Sequence, residues 1–425
     1  MRTIRAIRFL MVPFALGVWG CGLLPQVEMG PVLGTQQAGL TPFNPSSAPL
    51  AGSLTGSFLP PGVVPSGPLS ARVDAMAGAV MPANGPGGVV LVVRDRQITH
   101  LAGYGLAGLA AATPYTPSTV QDLASCSKAF TAFAALVLHE RGSLSLDDPV
   151  TRFIPELARS SAPQRPIQVR DLMNMTSGLA DYLELIPDLK SVPSNAEVAV
   201  TVGNAPRRFS TGSRHVYSNT DYVMLALLVE RAAGTRFAEF LRREIFSPLG
   251  MTATQVVDDP ANQPANRADP CTWNAARNRW DVDPNVARIV GDGQVFTCGN
   301  DLAKWILELD RPTRIRPDTL AMAFQRGRTD DGQEVEYGFG WFCGGSPGAR
   351  YVNHAGAWNG VSTYVVFHPD LHSAVYVISN NDGLDAAGLG DRIDALVAPA
   401  RAAQYPSAKA AASRAFRKPP ALPLP

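Results

Sequence analysis

Residues 122–142 read DLASCSKAFTAFAALVLHERG, and the second half of this stretch predicts a buried helix. Within residues 129–138 only Thr131 is polar, and a helix that is apolar on every side is normally enclosed by protein. Lys128 stands at the start of this run, in an interior where lysine is rarely found without a partner. Ser125 precedes it by three residues. The spacing therefore suggests that Ser125 and Lys128 act together.

Residues i and i+3 lie on the same side of a helix, so the side chains of Ser125 and Lys128 can meet. A serine hydroxyl needs a neighbouring base to become a nucleophile, and an exposed lysine, with a pKa of about 10.4, is protonated. Burial lowers a lysine pKa, and the helix N-terminus offers N–H groups to a developing oxyanion. The pair is suited to acyl transfer. Standing alone, S-x-x-K would also fit a capping serine and a lysine reaching for solvent.

The overall composition argues against several classes of function. The 425 residues carry a net charge of +1 with 17% charged residues, so no global field favours nucleic acid or a strongly acidic partner. The six histidines and five cysteines lack zinc-site spacing, and HPDLH at residues 368–372 contains a proline typical of a turn. We therefore expect no metal and no cofactor.

The first twenty residues have the pattern of an export signal. Arg2, Arg5 and Arg8 precede an eleven-residue apolar run, too short for a bilayer, which needs about 20 residues. The run ends at GVWGC, which resembles a bacterial lipoprotein signal whose lipidated residue is Cys21. We expect residues 1–20 to be removed and the lipid to anchor the protein to a membrane of the bacterial cell envelope, facing the periplasm or exterior. An ordinary cleaved signal and an uncleaved anchor are the alternatives.

Two further segments have the composition of linkers. Residues 21–70 are predicted to be a linker, because positions 22–70 hold nine Pro and eight Gly with Glu28 as the only charge. Residues 404–425 are rich in Ala and Pro and carry only basic charges, which predicts disorder. Contact of this tail with anionic lipid or cell-wall polymer is the alternative.

Residues 71–403 are predicted to form one mixed α/β (α+β) domain. A helix is expected over residues 69–81, two strands around a turn near Asp95 and Arg96, and a closing helix over residues 391–403. Three β-rich runs, RYVNHAG, VSTYVVFHP and SAVYVISNN, indicate an antiparallel meander near the end of the domain. The first and last strands are expected to share one antiparallel sheet flanked by helices, with the mostly helical middle forming a second lobe.

Two later motifs complete a resemblance to a known family. Tyr217-Ser218-Asn219 forms Y-x-N, and His354-Ala355-Gly356 forms H-x-G. In the order S-x-x-K, Y-x-N and H-x-G, the chain resembles the serine β-lactamase-like hydrolases, which include class C β-lactamases, D-alanyl-D-alanine carboxypeptidases and family VIII esterases. Tyr351-Val352-Asn353 also fits Y-x-N, but it lies in a predicted strand directly before His354, so we favour Tyr217.

The resemblance implies roles for these residues. Ser125 would attack a carbonyl group and become acylated, while Lys128 would accept its proton, alone or jointly with Tyr217. The phenol of Tyr217 would need a lowered pKa to serve as a base. Asn219 would hydrogen-bond Lys128 and the acyl side of the substrate, and the backbone N–H groups of Ser125 and Ala357, beside Gly356, would form an oxyanion hole.

His354 separates the chain from β-lactamases, which generally have Lys at this place in K-T-G. A neutral imidazole has little affinity for a substrate carboxylate, and Ala355 lacks the hydroxyl of Thr. We therefore predict an exported serine hydrolase for small ester, peptide or β-lactam substrates, more suited to esters or D-amino-acid peptides than to β-lactams. The alternative is a penicillin-binding or sensor module with little turnover.

The cysteines give a separate expectation. Export would allow disulfides among Cys126, Cys271, Cys298 and Cys343. By separation Cys271 and Cys298 are the most plausible pair, although sequence alone does not establish connectivity. Cys126 is expected to be a small buried filler.

Overall fold

The computed structural model describes residues 67–161, 165–189, 194–283 and 288–399. The predicted export signal, lipidated Cys21, nearly all of the linker and the basic tail lie outside these residues. The described helices are α1 (Pro68–Gly78), α2 (Lys128–Glu140), α3 (Val169–Met173), α4 (Tyr182–Leu185), α5 (Asn195–Gly203), α6 (Asn219–Ala233), α7 (Phe237–Leu241), α8 (Gly299–Asp310), α9 (Pro317–Ala323) and α10 (Ala386–Val397).

The described strands fall into one large sheet and several small ones. Those of the large sheet are β1 (Gly88–Arg94), β2 (Gln97–Tyr104), β12 (Phe342–Gly344), β13 (Tyr351–Trp358), β14 (Val361–His368) and β15 (Ser373–Ser379). The small sheets contain β3 (Leu106–Gly108), β4 (Thr113–Pro114), β5 (Gln121–Asp122), β6 (Gln255–Val256), β7 (Cys271–Asn274), β8 (Arg279–Val282), β9 (Val295–Thr297), β10 (Gly327–Arg328) and β11 (Glu334–Val335).

The large sheet confirms the predicted joining of the first and last strands. Its order is β12-β13-β14-β15-β1-β2, and every neighbouring pair is antiparallel. Strands β1 and β15 meet with Val90 opposite Val377. The turn between β1 and β2 contains Asp95 and Arg96, both with positive φ, as a tight hairpin turn requires.

Both faces of the central strands are covered, so these strands are buried along almost all of their length and mostly apolar. Successive side chains alternate between faces. Val89, Leu91 and Val93 join the larger core with α2, whereas Val90 and Val92 join a second core with α1 and α10. The sheet therefore separates an inner core next to Ser125 and Lys128 from an outer core.

The helix boundaries differ slightly from the predicted ones. Helix α1 ends at Gly78 rather than at residue 81. The closing helix α10 begins at Ala386, five residues earlier than expected, because the Asp385 side chain accepts a hydrogen bond from Gly388 N and caps it. Gly234 ends α6 in the left-handed conformation and separates it from α7.

The predicted Cys271–Cys298 disulfide is wrong, because the four described cysteines are free. The Cys271 thiol donates to Asp269 O at 3.2 Å, whereas Cys298 packs in a small apolar cluster with Val120 and Phe296. Cys126 is fully buried, as expected for a small filler. Sequence separation carried no information on these different surroundings.

The described residues include neither a helix suited to span a membrane nor a cluster of metal ligands. None of the helices there is both long enough and apolar enough to cross a membrane. No group of three or more His, Cys, Asp or Glu side chains in the same part of the chain is arranged to hold a metal ion. The two histidines of HPDLH have separate partners, since His368 Nε2 lies 2.7 Å from Asp394 Oδ1 while His372 contacts Asp310.

Candidate active site

Ser125 lies on a tight turn that leads into α2. Residues Ala124–Ser127 form a 3-10 turn, and the α-helix itself begins at Lys128. Ala124 has φ of 45°, a left-handed conformation that is uncommon for residues other than glycine and concentrates at functional sites. Cys126 N hydrogen-bonds Leu123 O at 3.1 Å and closes the turn. Ser125 is only 8% exposed, at the floor of the site.

Lys128 is fully buried and points back at Ser125, as the spacing predicts. Its Nζ donates to Ser125 Oγ at 3.0 Å, to Asn219 Oδ1 at 3.0 Å and to the backbone oxygen of Asp292 at 2.9 Å. Burial lowers the pKa of Lys128 to about 8, although the carboxylates of Asp292 and Asp181 oppose the shift. A large fraction of the amine is therefore neutral at mildly alkaline pH.

Helix α6 brings the second motif to the same point. The Ser218 hydroxyl caps this helix by accepting from Asp221 N at 3.1 Å, which places Asn219 at the first helical position beside Lys128. The ring of Tyr217 lies 5.1 Å from Lys128 Nζ, and its hydroxyl is close enough to the Ser125 side chain to be affected by it electrostatically. Burial raises the pKa of Tyr217 well above 10, opposite to the lowering that a phenolate base would need.

The third motif lies on β13, directly beside the Ser125 turn. A Cβ atom added to Gly356 would lie 2.5 Å from Leu123 O and 3.0 Å from Ser125 N, so only glycine allows this approach. Ala357 follows on the exposed edge of the site. The structure therefore packs the Gly356 backbone against the Ser125 turn, with Ala357 as the next residue of β13.

His354 is placed next to the site but is sealed away from solvent. It is 0% exposed, and its Nε2 lies 3.1 Å from the Tyr337 hydroxyl while its Nδ1 lies 2.7 Å from Ala355 O. Burial, assisted by the nearby Lys128 ammonium, lowers the pKa of His354 to about 3. The imidazole is neutral and both ring nitrogens are engaged.

Sequence reasoning assigned no role to Asp292 and Asp181. Asp292 supplies a backbone acceptor to Lys128, and its Oδ2 accepts the Tyr182 hydroxyl at 3.0 Å. Asp181 accepts from Asn219 N at 3.1 Å and from Leu183 N at 3.1 Å, which fixes the start of α4 against α6. The only signal was an acid between two glycines in GDG and an acid after SGLA.

Three further aromatic residues divide between the site and the core. Tyr182 borders the site through its bond to Asp292. Trp341 is 1% exposed and packs on Phe324, so it belongs to the core. Tyr351 packs against His368 at the far end of β13, which agrees with its interpretation as a strand residue.

Comparisons with known proteins agree with this geometry. A penicillin-binding protein of Bacillus subtilis (strain 168) is 29% identical over 314 residues, covering 69% of this chain and 68% of that protein. A D-aminopeptidase of Brucella anthropi is 31% identical over 285 residues. That match covers 65% of this chain and 52% of the relative, so the chain spans about half the length of that protein.

Solved structures and a family model extend the comparison. The octameric penicillin-binding protein homologue of Pyrococcus abyssi has a TM-score of 0.68 at 24% identity, covering 77% of both chains. A D-stereospecific amidohydrolase of Streptomyces sp. has a TM-score of 0.62 at 20% identity, covering 74% of this chain and 94% of that one. These two likenesses show the fold. The model of the beta-lactamase family matches residues 74–398, most of the chain, and the chain therefore belongs to the beta-lactamase family of serine hydrolases.

Proposed function

We propose that the protein cleaves ester or amide bonds through an acyl-enzyme on Ser125. The observation that carries this proposal is the 3.0 Å contact between Ser125 Oγ and the Nζ of a fully buried Lys128. A buried lysine with a pKa of about 8 is a competent base near neutral pH, whereas an exposed lysine is not.

In the acylation step, Ser125 Oγ attacks the substrate carbonyl carbon as its proton passes to Lys128 Nζ. The carbonyl oxygen becomes an oxyanion, which the backbone N–H groups of Ser125 and Ala357 stabilise. Each donor of this kind contributes about 3–4 kcal/mol to transition-state stabilisation. The close packing of Gly356 against the Ser125 turn supports this assignment, because it holds the two backbones side by side.

Tyr217 acts as the proton donor to the leaving group. Its raised pKa keeps the phenol protonated, so Lys128 rather than Tyr217 is the general base. As the tetrahedral intermediate collapses, the phenol protonates the departing nitrogen or oxygen and regains a proton from the Lys128 ammonium. In deacylation, Lys128 takes a proton from a water that attacks the ester carbonyl. The Lys128 ammonium then returns this proton to Ser125 Oγ, which leaves as the free hydroxyl.

The state of His354 favours substrates without a carboxylate at the leaving-group side. A buried imidazole with a pKa of about 3 carries no charge at physiological pH and cannot replace a cationic lysine there. This supports an esterase or peptidase over an efficient β-lactamase. The relatives named D-aminopeptidase and D-stereospecific amidohydrolase support amide substrates.

A substrate panel tests the proposal. Purified protein and a Ser125→Ala variant are incubated with p-nitrophenyl butyrate, nitrocefin and a D-Ala-D-Ala peptide, and Ser125 is probed with a fluorophosphonate by mass spectrometry. We expect ester or peptide turnover to exceed nitrocefin turnover, with label on Ser125 and none on the variant. Label without deacylation would favour a penicillin-binding or sensor role, and absence of label would contradict the proposal.

We also infer that the protein is exported and held in the bacterial cell envelope by a lipid on Cys21. The support is the basic and apolar pattern of residues 1–20 followed by GVWGC. Metabolic labelling with a palmitate analogue tests this. We expect labelled protein in the membrane fraction and loss of the label in Cys21→Ala; an unlabelled wild-type protein would contradict it.

A further inference from the structure

One carboxylate near Ser125, that of Asp292, forms no ion pair within the described residues, although the Lys128 amine lies close enough to act on it electrostatically. Asp292 Oδ2 accepts the Tyr182 hydroxyl at 3.0 Å, but among the described residues no other residue donates to Oδ1 and no cation forms an ion pair with the side chain. Asp292 is half-buried, so part of the residue is accessible. Carboxylates this far from bulk water are normally paired or have a purpose.

The position of Asp292 is rigid and close to the reacting atoms. Its backbone oxygen receives Lys128 Nζ at 2.9 Å, and the same Nζ lies 3.0 Å from Ser125 Oγ. The preceding Gly291 has φ of 110°, and a Cβ there would lie 2.4 Å from Tyr222 O. The loop that carries Asp292 therefore packs closely against α6, beside the nucleophile.

The neighbouring acid does not share this property. Asp181 is 8% exposed and is occupied by the backbone N–H groups of Leu183 and Asn219, so it is a structural acceptor. Lys128 Nζ donates to both Asn219 Oδ1 and the Asp292 backbone oxygen, so Asp292 lies near Asn219, the residue that the family resemblance assigns to the acyl side of the substrate. When Lys128 is in its neutral, reactive form and His354 is also neutral, an ionised Asp292 adds negative charge to this side of the site.

We propose that Asp292 binds a protonated amine on the acyl residue of the substrate and so selects substrates with a free amino group next to the scissile carbonyl. This inference rests on the proposed acyl-enzyme at Ser125. Burial raises the pKa of the Asp292 carboxyl, which marks an unfavourable charge that a bound ammonium would stabilise. Tyr182 is a positioning residue, because its hydroxyl holds Oδ2 and leaves Oδ1 for the ligand.

Two boronic acids that differ by one amine test the inference without requiring turnover. In 1-aminoethylboronic acid and ethylboronic acid, Ser125 Oγ adds to boron while its proton passes to Lys128, giving a tetrahedral boronate. Their inhibition constants are measured at pH 7 from protection of Ser125 against a fluorophosphonate, in the wild type and in Asp292→Asn. Both inhibition constants are measured at the same pH. A change in the protonation of Lys128 caused by the variant therefore affects both constants and cancels in their ratio.

We expect the wild type to bind the aminated compound at least tenfold more tightly and Asp292→Asn to lose this preference. Tyr182→Phe should lose part of it, and Asp147→Asn, which removes an exposed carboxylate, should keep it. The inference on Asp292, but not the proposed function, would be overturned by any of three results. These are equal affinities in the wild type, a preference retained by Asp292→Asn, and labelling that neither compound prevents. Failure of the fluorophosphonate to label Ser125 would instead contradict the proposed function.

Discussion

The outer and inner faces of the large sheet are both buried, but the inner face includes one residue, Lys128, whose burial destabilises the fold. On the outer face, Val90, Val377 and Ile393 pack together with 0% exposure, and burying each such side chain stabilises the fold by about 1.5–3 kcal/mol. On the inner face Lys128 is also 0% exposed, yet its lowered pKa means that burial costs about 3 kcal/mol below pH 8. Burial of apolar side chains on the outer face stabilises the fold, whereas burial of Lys128 on the inner face makes its amine a base.

The backbone beside the nucleophile shows the same difference. Ala124 adopts φ of 45° immediately before Ser125, and such conformations cost about 1–3 kcal/mol in residues other than glycine. Strands β14 and β15 have no described residue with positive φ. The strained turn is tolerated because the apolar outer face and the core around α2 offset its cost.

Replacing Lys128 should have the largest effect and act in opposite directions on activity and stability. Lys128→Met should lower kcat/KM, or the rate of Ser125 labelling, by at least about 10³-fold, because general base catalysis is lost. Below pH 8 both states of the wild type hold the lysine proton, so the full burial cost applies and the variant should be relatively stabilised. From pH 8 to about 10.5 the folded wild type has lost the proton that the unfolded chain keeps, so its stability rises and this relative gain disappears.

Urea unfolding of the wild type and Lys128→Met at about pH 7 and about pH 10 measures the second effect. A difference in stability that does not change with pH would show that the pKa of Lys128 is the same in the folded and unfolded states, and would contradict the lowered pKa.

Gly356→Ala should disturb the inner face without changing any charge. Its new Cβ would lie 2.3 Å from Thr363 Oγ1 and 2.5 Å from Leu123 O, so β13 must move away from the Ser125 turn. We expect at least about a hundredfold loss in labelling rate, comparable to the loss of an oxyanion donor. The matched control is Gly78→Ala in α1, where a Cβ meets nothing within 4 Å. Equal rates for both variants would refute the close-packing argument.

Much of this inner face could be predicted from the sequence. The i, i+3 spacing placed Ser125 against Lys128, the apolar run supplied the burial, and the ordered motifs brought Tyr217 and Asn219 to the same point. The strands followed from β-rich runs between turn residues, and their joining in one sheet from the usual layering of domains. The spacing and the apolar run are local features that a sequence displays directly, whereas the resemblance to a family supplied the meeting of the separate motifs.

The features that were missed depend on contacts between distant segments. The full burial of His354 requires Tyr337, and the role of Asp292 requires Tyr182, 110 positions away. The Cys271–Cys298 pairing was wrong because separation along the chain does not report which cores the two thiols enter. The raised pKa of Tyr217 likewise follows from enclosure by several segments.

The outer face gives the complementary prediction. Ile393→Ala removes a side chain that is 0% exposed, and such truncations typically cost about 2–5 kcal/mol of folding free energy. Because the sheet separates Ile393 from Ser125, we expect kcat/KM of the folded variant to stay within about twofold of the wild type. Urea unfolding and ester hydrolysis on the same sample measure both effects. A large activity loss in fully folded protein would show that the two faces are coupled.

The last expected effect is a change of stability with pH at Asp221, which is buried at the start of α6. Burial raises its pKa to about 8, so the folded state keeps a proton that the unfolded state has lost above about pH 4. Stability contributed by this group is therefore present at low pH and decreases as pH rises toward 8, by about 1.4 kcal/mol per pH unit. Asp221→Asn should remove this slope. If the free energy of unfolding changes with pH in the same way for the variant and the wild type between about pH 5 and 7, the Asp221 carboxyl is already ionised in the folded protein, which would contradict its raised pKa.

The most direct test of a buried, neutral Lys128 is the pH dependence of Ser125 labelling by an uncharged fluorophosphonate. The rate should rise about tenfold per pH unit and become constant near pH 8, where the lysine loses its proton. His354, with a pKa of about 3, should add no further step above about pH 5. A rate that keeps rising to about pH 10, as for a solvated lysine, or one that does not change with pH, would contradict the account.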